Sequence, residues 1–150
     1  MSELRELYQQ VILDHNKNPH YFGKLEKASC CQDGNNPLCG DYLRVCLRLV
    51  EDYIEDIRFE GHGCAISKAS ASLMTTMIKG RSKTEALALF DCFHEMITAP
   101  IDTPFNKIKL GKLIVFSGVR EFPMRVKCAV LAWHTMKAAL TNHDRPISTE

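Results

Sequence analysis

Three cysteines and one acid, Cys39, Asp41, Cys64 and Cys128, constrain this chain more than any other feature. Cys39 and Asp41 flank Gly40 in Pro37-Leu38-Cys39-Gly40-Asp41. Cys64 follows Gly61-His62-Gly63 and opens a run of small residues. Cys128 follows Arg125-Val126-Lys127 and opens an apolar stretch. Three thiolates and a carboxylate make the four donors a tetrahedral zinc site requires. Their spacing fits no compact finger pattern, because they lie tens of residues apart. Only a folded domain can bring them together.

The chain of 150 residues reads as one domain, 1–150, large enough to bury a core. A formal net charge of +1 gives no electrostatic case for nucleic acid or an anionic membrane. The charged N-terminus, Met1-Ser2-Glu3-Leu4-Arg5-Glu6-Leu7, lacks the apolar core of a signal peptide. No apolar run approaches the roughly 20 residues that span a bilayer. An odd count of seven cysteines with nothing pointing to secretion reads as reduced thiols in a cytoplasm.

Leu4, Leu7, Tyr8, Val11 and Ile12 recur at helical spacing and predict an amphipathic helix over Glu3–Asp14, ended by Asn16-Lys17-Asn18-Pro19. His20–Leu38 reads as irregular, with part of it available as an edge strand. Leu43, Val45, Leu47 and Leu49 alternate with Arg44, Cys46 and Arg48 as in a half-buried strand, and Tyr53–Glu60 returns antiparallel after a Glu51-Asp52 turn. A helix over Ala65–Lys79 stops at Gly80, and its small residues allow close packing. Ser82-Lys83-Thr84-Glu85 is a capping box opening a helix to about Met96. Thr98–Asn106 reads as a loop, Leu113–Gly118 as a short helix and Lys127–Thr141 as the last helix, burying Cys128, Leu131, Ala132, Thr135 and Leu140. The fold class is α+β, a small antiparallel sheet with helices packed against it.

Asn36-Pro37-Leu38-Cys39-Gly40-Asp41, Phe59-Glu60-Gly61-His62-Gly63-Cys64-Ala65-Ile66-Ser67 and Arg125-Val126-Lys127-Cys128-Ala129 closely resemble the three cysteine motifs of the IscU/NifU-N iron–sulfur cluster assembly family. The match runs from about Leu7 to Leu140. The resemblance implies an IscU/NifU-N-like (SufE/NifU-like) fold. Lys127 stands where IscU scaffolds have a histidine, and Glu121-Phe122-Pro123-Met124-Arg125 stands where they have a Leu-Pro-Pro-Val-Lys chaperone-recognition motif. The segment from about Phe93 to Gly118 is longer. These three features resemble the SufU branch, whose members bind zinc through three cysteines and an aspartate and accept sulfur from a SufS-type cysteine desulfurase.

That resemblance implies Zn2+ on Cys39, Asp41, Cys64 and Cys128, with Cys39 as the catalytic sulfur acceptor. It implies a SufS-type desulfurase as donor, a downstream scaffold such as a SufBCD-type complex, and no dedicated Hsc-type chaperone. The alternative is an IscU-type scaffold assembling a transient [2Fe–2S] cluster on the same ligands, since thiolates suit both. Cys64 and Cys128 are each expected just before a helix, where free N–H groups stabilise a thiolate. Cys39 lies in a turn, from which a thiol can move towards a partner. Gly61 and Gly63 are expected to permit a sharp strand-to-helix turn, and Arg125 to contact a partner or pair with Asp41. Cys46 and Cys92 read as core packing and Cys30-Cys31 as incidental. His62 reads as a surface residue, His134 as packed or on the surface, and Met74 and Met77 as core.

Overall fold

The computed structural model describes residues 2–141 and 147–149. The elements run α1 (Ser2–Lys17), β1 (Cys30–Asn36), β2 (Asp41–Val50), β3 (Tyr53–His62), α2 (Ala65–Ile78), α3 (Lys83–Thr98), α4 (Lys107–Leu110), a 3-10 helix (Gly111–Glu121), α5 (Pro123–Leu140) and β4 (Ile147–Ser148). The sheet order is β3-β2-β1-β4. The first three strands are antiparallel, and the short β4 pairs parallel to β1. This is the expected α+β class.

Alternation along β2 sends Leu43, Val45 and Leu47 inward and leaves Tyr42, Arg44, Cys46 and Arg48 half-buried on the outer face. From β3, Ile54, Ile57 and Phe59 join the same inner layer. Against it lies α5, packed on β1 and β2, then α2 on α5 and β3, with α1 on α2. Gly34 is where β1 and α5 meet: a Cβ there would collide with the Thr135 hydroxyl. The close packing predicted for α2 is real. Ser67, Ala69, Ser70, Ala71 and Ser72 are all buried, and the Ser70 hydroxyl donates to the Ala129 carbonyl (2.6 Å) while accepting from Trp133 Nε1 (3.2 Å). The capping box of Ser82 and Glu85 opens α3.

The structure differs from the sequence reading in five places. The strand expected within His20–Leu38 is Cys30–Asn36, but it lies between β2 and the short β4 and not at an edge. The last helix starts at Pro123, a residue whose fixed φ and missing N–H suit a first helical position. Cys128 therefore lies one turn inside the helix. Cys46 faces away from the core and is disulfide-bonded to Cys31, directly opposite it in the β1–β2 register. On α1, Tyr8, Val11 and Ile12 pack against the core, but Leu4 and Leu7 stay exposed. The 3-10 helix is longer than the Leu113–Gly118 expected, and buries Leu113, Val115, Phe116 and Val119.

Met74 is fully buried and Met77 packs on the core edge. Cys92 is likewise half-buried against the core, as expected, and burial raises its pKa. His134 is packed, its ring edge-on to Phe90 at 5.1 Å. Among the described residues no helix is long and apolar enough to cross a membrane.

Two predictions follow from this packing. Ser70→Ala leaves the buried Trp133 indole N–H without a partner and removes the side-chain bond to the Ala129 carbonyl, and should cost about 1–3 kcal/mol, read as a lower denaturant midpoint at unchanged slope. His15 and His134 have pKa values lowered chiefly by burial, with His20 and Lys112 adding for His15 and His94 and Lys137 for His134. The unfolded chain therefore binds these protons more readily than the folded one. Stability is full above the ordinary histidine value of 6.5 and falls as pH drops through the lowered folded values. Thermal unfolding between pH 7 and 5 should show that decline, and a His15→Gln/His134→Gln variant should flatten it.

Candidate metal centre

The site is assembled where two strand ends, one strand-to-helix turn and the first half of α5 meet. β1 ends on Asn36 and β2 begins on Asp41, which face each other in the register. The connecting turn is closed by Cys39 N–H donating to the Asn36 carbonyl (3.2 Å), with Gly40 at φ +69°. Cys39 is thus held half-buried between exposed Leu38 (55%) and exposed Gly40.

Asp41 is the opposite case, a carboxylate only 2% exposed. A buried charge is costly unless hydrogen-bonded. Its Oδ1 accepts from the Cys64 backbone N–H (2.8 Å) and its Oδ2 from Asn36 Nδ2 (3.3 Å). The turn delivering Cys64 uses its glycines differently from each other. Gly61 has φ +139°, and any side chain there would strike the Tyr42 carbonyl. At Gly63 the φ is not positive; the space its Cβ would need is occupied by the Asp41 carboxylate. Backbone shape explains the first glycine, and carboxylate approach explains the second.

Cys64 is the N-cap of α2, as expected, and its sulfur accepts from Ser67 N–H (3.4 Å). Cys128 is not at a helix start. It is fully buried on α5, its sulfur 3.3 Å from Cys39 Sγ and within reach of Asn36 Nδ2 (3.4 Å). The two thiols diverge accordingly. A hydrogen bond from Cys128, aided by the Ser67 and Ile66 N–H groups, brings Cys64 down to about 6 against the opposing pull of burial and Asp41. The Cys128 thiol is pushed up, first by that same bond and then by burial and Cys39. The exposed Arg125 guanidinium leans on this sulfur cluster, and its pKa is raised chiefly by Cys128.

The donor atoms of Cys39, Asp41 and Cys128 lie within 4.8 Å of one another. Cys64 sits just outside that triad, its sulfur 3.9 Å from Asp41 Oδ2. All four sequence candidates therefore occupy one neighbourhood, with three of them mutually close enough for one ion. Two cysteine sulfurs beside a carboxylate match the soft-plus-oxygen donor set of a thiophilic divalent metal. His62 is exposed at the end of β3, its ring 5.9 Å from Tyr42, and is not in the converging group.

Asn36 is the residue that sequence reasoning did not assign. It is fully buried and its amide bridges Asp41 and Cys128. Among the described residues its Oδ1 has no hydrogen-bond partner, nor has the Ser67 hydroxyl beside the N-cap. The available signal was an asparagine immediately before Pro37, a position where a side-chain amide commonly organises a turn.

Residues 7–129 match the NifU-like N terminal domain family. The chain is 46% identical to the iron–sulfur cluster assembly scaffold protein IscU of Streptococcus pyogenes serotype M1, over 93% of this chain and 86% of that protein. It is 41% identical to the zinc-dependent sulfurtransferase SufU of Bacillus subtilis (strain 168), over 95% of each. A crystal structure described as a putative iron–sulfur cluster assembly scaffold protein for the SUF system from Fervidobacterium islandicum AW-1 superposes with a TM-score of 0.82 at 38% identity, covering 90% of this chain and 97% of that one.

Gly63→Ala should force the Asp41 carboxylate off the Cys64 N–H and weaken binding of a thiophilic divalent metal by roughly 10- to 100-fold, the usual effect of disturbing a ligand's supporting contacts. Competition against a chromogenic chelator measures it. Gly40→Ala, whose Cβ meets nothing within 4 Å, is the comparison. It strains the backbone at φ +69° yet leaves Asp41 in place. Equal affinities in the two variants would refute the assigned role of Gly63.

Proposed function

The chain belongs to the family of NifU-like N-terminal domains, and from that premise we propose that it is a zinc-dependent sulfurtransferase serving iron–sulfur cluster assembly. In this reading Cys39, Asp41, Cys64 and Cys128 hold Zn2+, and Cys39 accepts sulfur from a SufS-type cysteine desulfurase. It then passes the sulfur to a downstream scaffold such as a SufBCD-type complex.

One observation carries the reading. Cys39 belongs to the sulfur cluster and to the surface at once: its sulfur is 3.3 Å from buried Cys128, while its flanking residues are exposed. A purely structural site has no need of an exposed ligand. Bound zinc, which has no redox chemistry, would keep the thiolates deprotonated and in position. The chain's own residues do the rest. Asn36 and the Cys64 N–H fix the Asp41 carboxylate, the α2 N-terminus favours the Cys64 thiolate, and the turn presents Cys39.

Transfer has the form of thiol–disulfide exchange. The Cys39 thiolate attacks the outer sulfur of the donor's persulfide. A new bond forms from Cys39 to that sulfur, and the bond between the two persulfide sulfurs breaks. The donor cysteine leaves as a thiolate. The outer sulfur stays bonded to one cysteine throughout, so no external oxidant or reductant is required. Arg125 lies beside these sulfurs, where a guanidinium can stabilise the leaving thiolate.

The second reading, a scaffold building a transient [2Fe–2S] cluster on the same donors, is favoured by the name of the Streptococcus pyogenes relative. Lys127 in place of a histidine, the different Glu121–Arg125 segment and the long Phe93–Gly118 segment support transfer instead.

Purified protein under reducing conditions should be colourless with about one zinc, the content of a single four-donor site. After incubation with desulfurase and cysteine, mass spectrometry should find one added sulfur on Cys39. Cys39→Ala should abolish the adduct and the stimulation of desulfurase turnover, whereas Cys92→Ala preserves both. Brown protein holding iron and sulfide, or an adduct on Cys30 or Cys31, would overturn the proposal.

A further inference from the structure

We propose that Cys31 and Cys46 form a second, metal-independent thiol–disulfide site that locks the hairpin carrying Cys39 and Asp41. The two residues are direct partners in the antiparallel β1–β2 register, with Cα atoms 4.1 Å apart and their sulfurs bonded. Both are half-buried on the outer face, on the opposite side of the sheet from the core. The bond closes a loop spanning 15 positions. Inside that loop lie Asn36, the turn bearing Cys39, and Asp41.

The register selects which two thiols react, and the neighbouring charges largely cancel. Cys46 is flanked along β2 by Arg44 and Arg48, and Arg58 stands directly across on β3. These guanidiniums are anchored by carboxylates, Arg44 on Asp33 (3.0 Å), Arg48 on Glu55 (2.6 Å) and Arg58 on Asp56 (3.5 Å). Each cation beside Cys46 is thus offset by a carboxylate. The half-buried pair on the outer face suits a low-molecular-weight disulfide as oxidant, of which oxidised glutathione is the probe.

The reaction proceeds in two exchanges. The Cys46 thiolate attacks one glutathione sulfur and expels the other half as thiolate. The Cys31 thiolate, placed opposite by the register, then attacks the Cys46 sulfur and expels the second. Two protein thiols are oxidised to one disulfide, one glutathione disulfide is reduced to two thiols, and the two protons released from protein sulfur are taken up by the leaving groups. A dithiol reductant reverses both steps. Cys30, next in sequence, faces the other side of the strand and packs against the core, with its thiol raised by burial. It is excluded from the exchange.

The test uses the full chain, reduced and then treated with oxidised glutathione. Each sample is denatured with chelator and alkylated. Seven cysteines should alkylate after dithiothreitol and five after glutathione disulfide, with the missing pair mapping to a Cys31–Cys46 peptide. The oxidised form should unfold roughly 6–12 °C higher, from the loop-closure entropy of a loop of this size. Cys31→Ser and Cys46→Ser should each erase the redox dependence of the midpoint while leaving zinc content and sulfur acceptance on Cys39 as before. Seven alkylated cysteines after oxidation, a disulfide that includes Cys30 or a metal-centre cysteine, or equal midpoints for the two forms would each overturn the proposal. No readout of the disulfide itself requires a desulfurase, so its failure is distinguishable from failure of the transfer reading.

Discussion

The buried carboxylate of Asp41 organises the functional end of this molecule. One oxygen is held by the Cys64 N–H and the other by the Asn36 amide, so one side chain joins the end of β1, the start of β2 and the start of α2. Without those bonds a carboxylate this deep would lose hydration and gain nothing in return. The Gly63 backbone closes in on it because no Cβ intervenes. Asn36 then extends the arrangement to Cys128 on α5. Residues as much as 92 positions apart meet through a handful of polar contacts.

Around this polar centre the protein is packed conventionally. Leu43, Val45, Leu47, Ile57 and Phe59 line the sheet, and Leu73, Met74, Trp133 and Met136 answer them from α2 and α5. The serines of α2 let that helix approach α5 closely, and Ser70 bonds both Ala129 and Trp133 across the contact. A rigid α2–α5 pair is what holds Cys64 and Cys128 at a defined separation. The remaining sulfur is carried by the four-residue turn between β1 and β2.

Where local rules and tertiary packing agree, the sequence was legible. Alternation identified β2, the capping box identified α3, and periodicity identified the buried face of α5. The sequence gives β1 no bounds because Gln32, Gly34 and Asn36 occupy its inward positions, where a strand ordinarily shows branched apolar residues. Gly34 is there to admit α5, which no local pattern reveals. The early start of α5 was encoded in Pro123 but overlooked. The Cys31–Cys46 bond follows only from register, which is a property of two strands together and of neither alone. The four donor candidates were legible from their motifs. Their unequal proton affinities were not, since these arise from contacts between residues 64 positions apart in Cys64 and Cys128.

The contact between Gly34 and Thr135 reaches beyond packing density. Strand and helix run side by side from that point to the places where Asn36 and Cys128 sit, and both are stiff over so short a stretch. A methyl group inserted at position 34 would act as a wedge near the pivot of a pair of tongs, opening the jaws where the sulfurs meet. The spacing of the reactive groups is therefore set partly by the smallest residue in the sheet, out of reach of anything that binds at the rim.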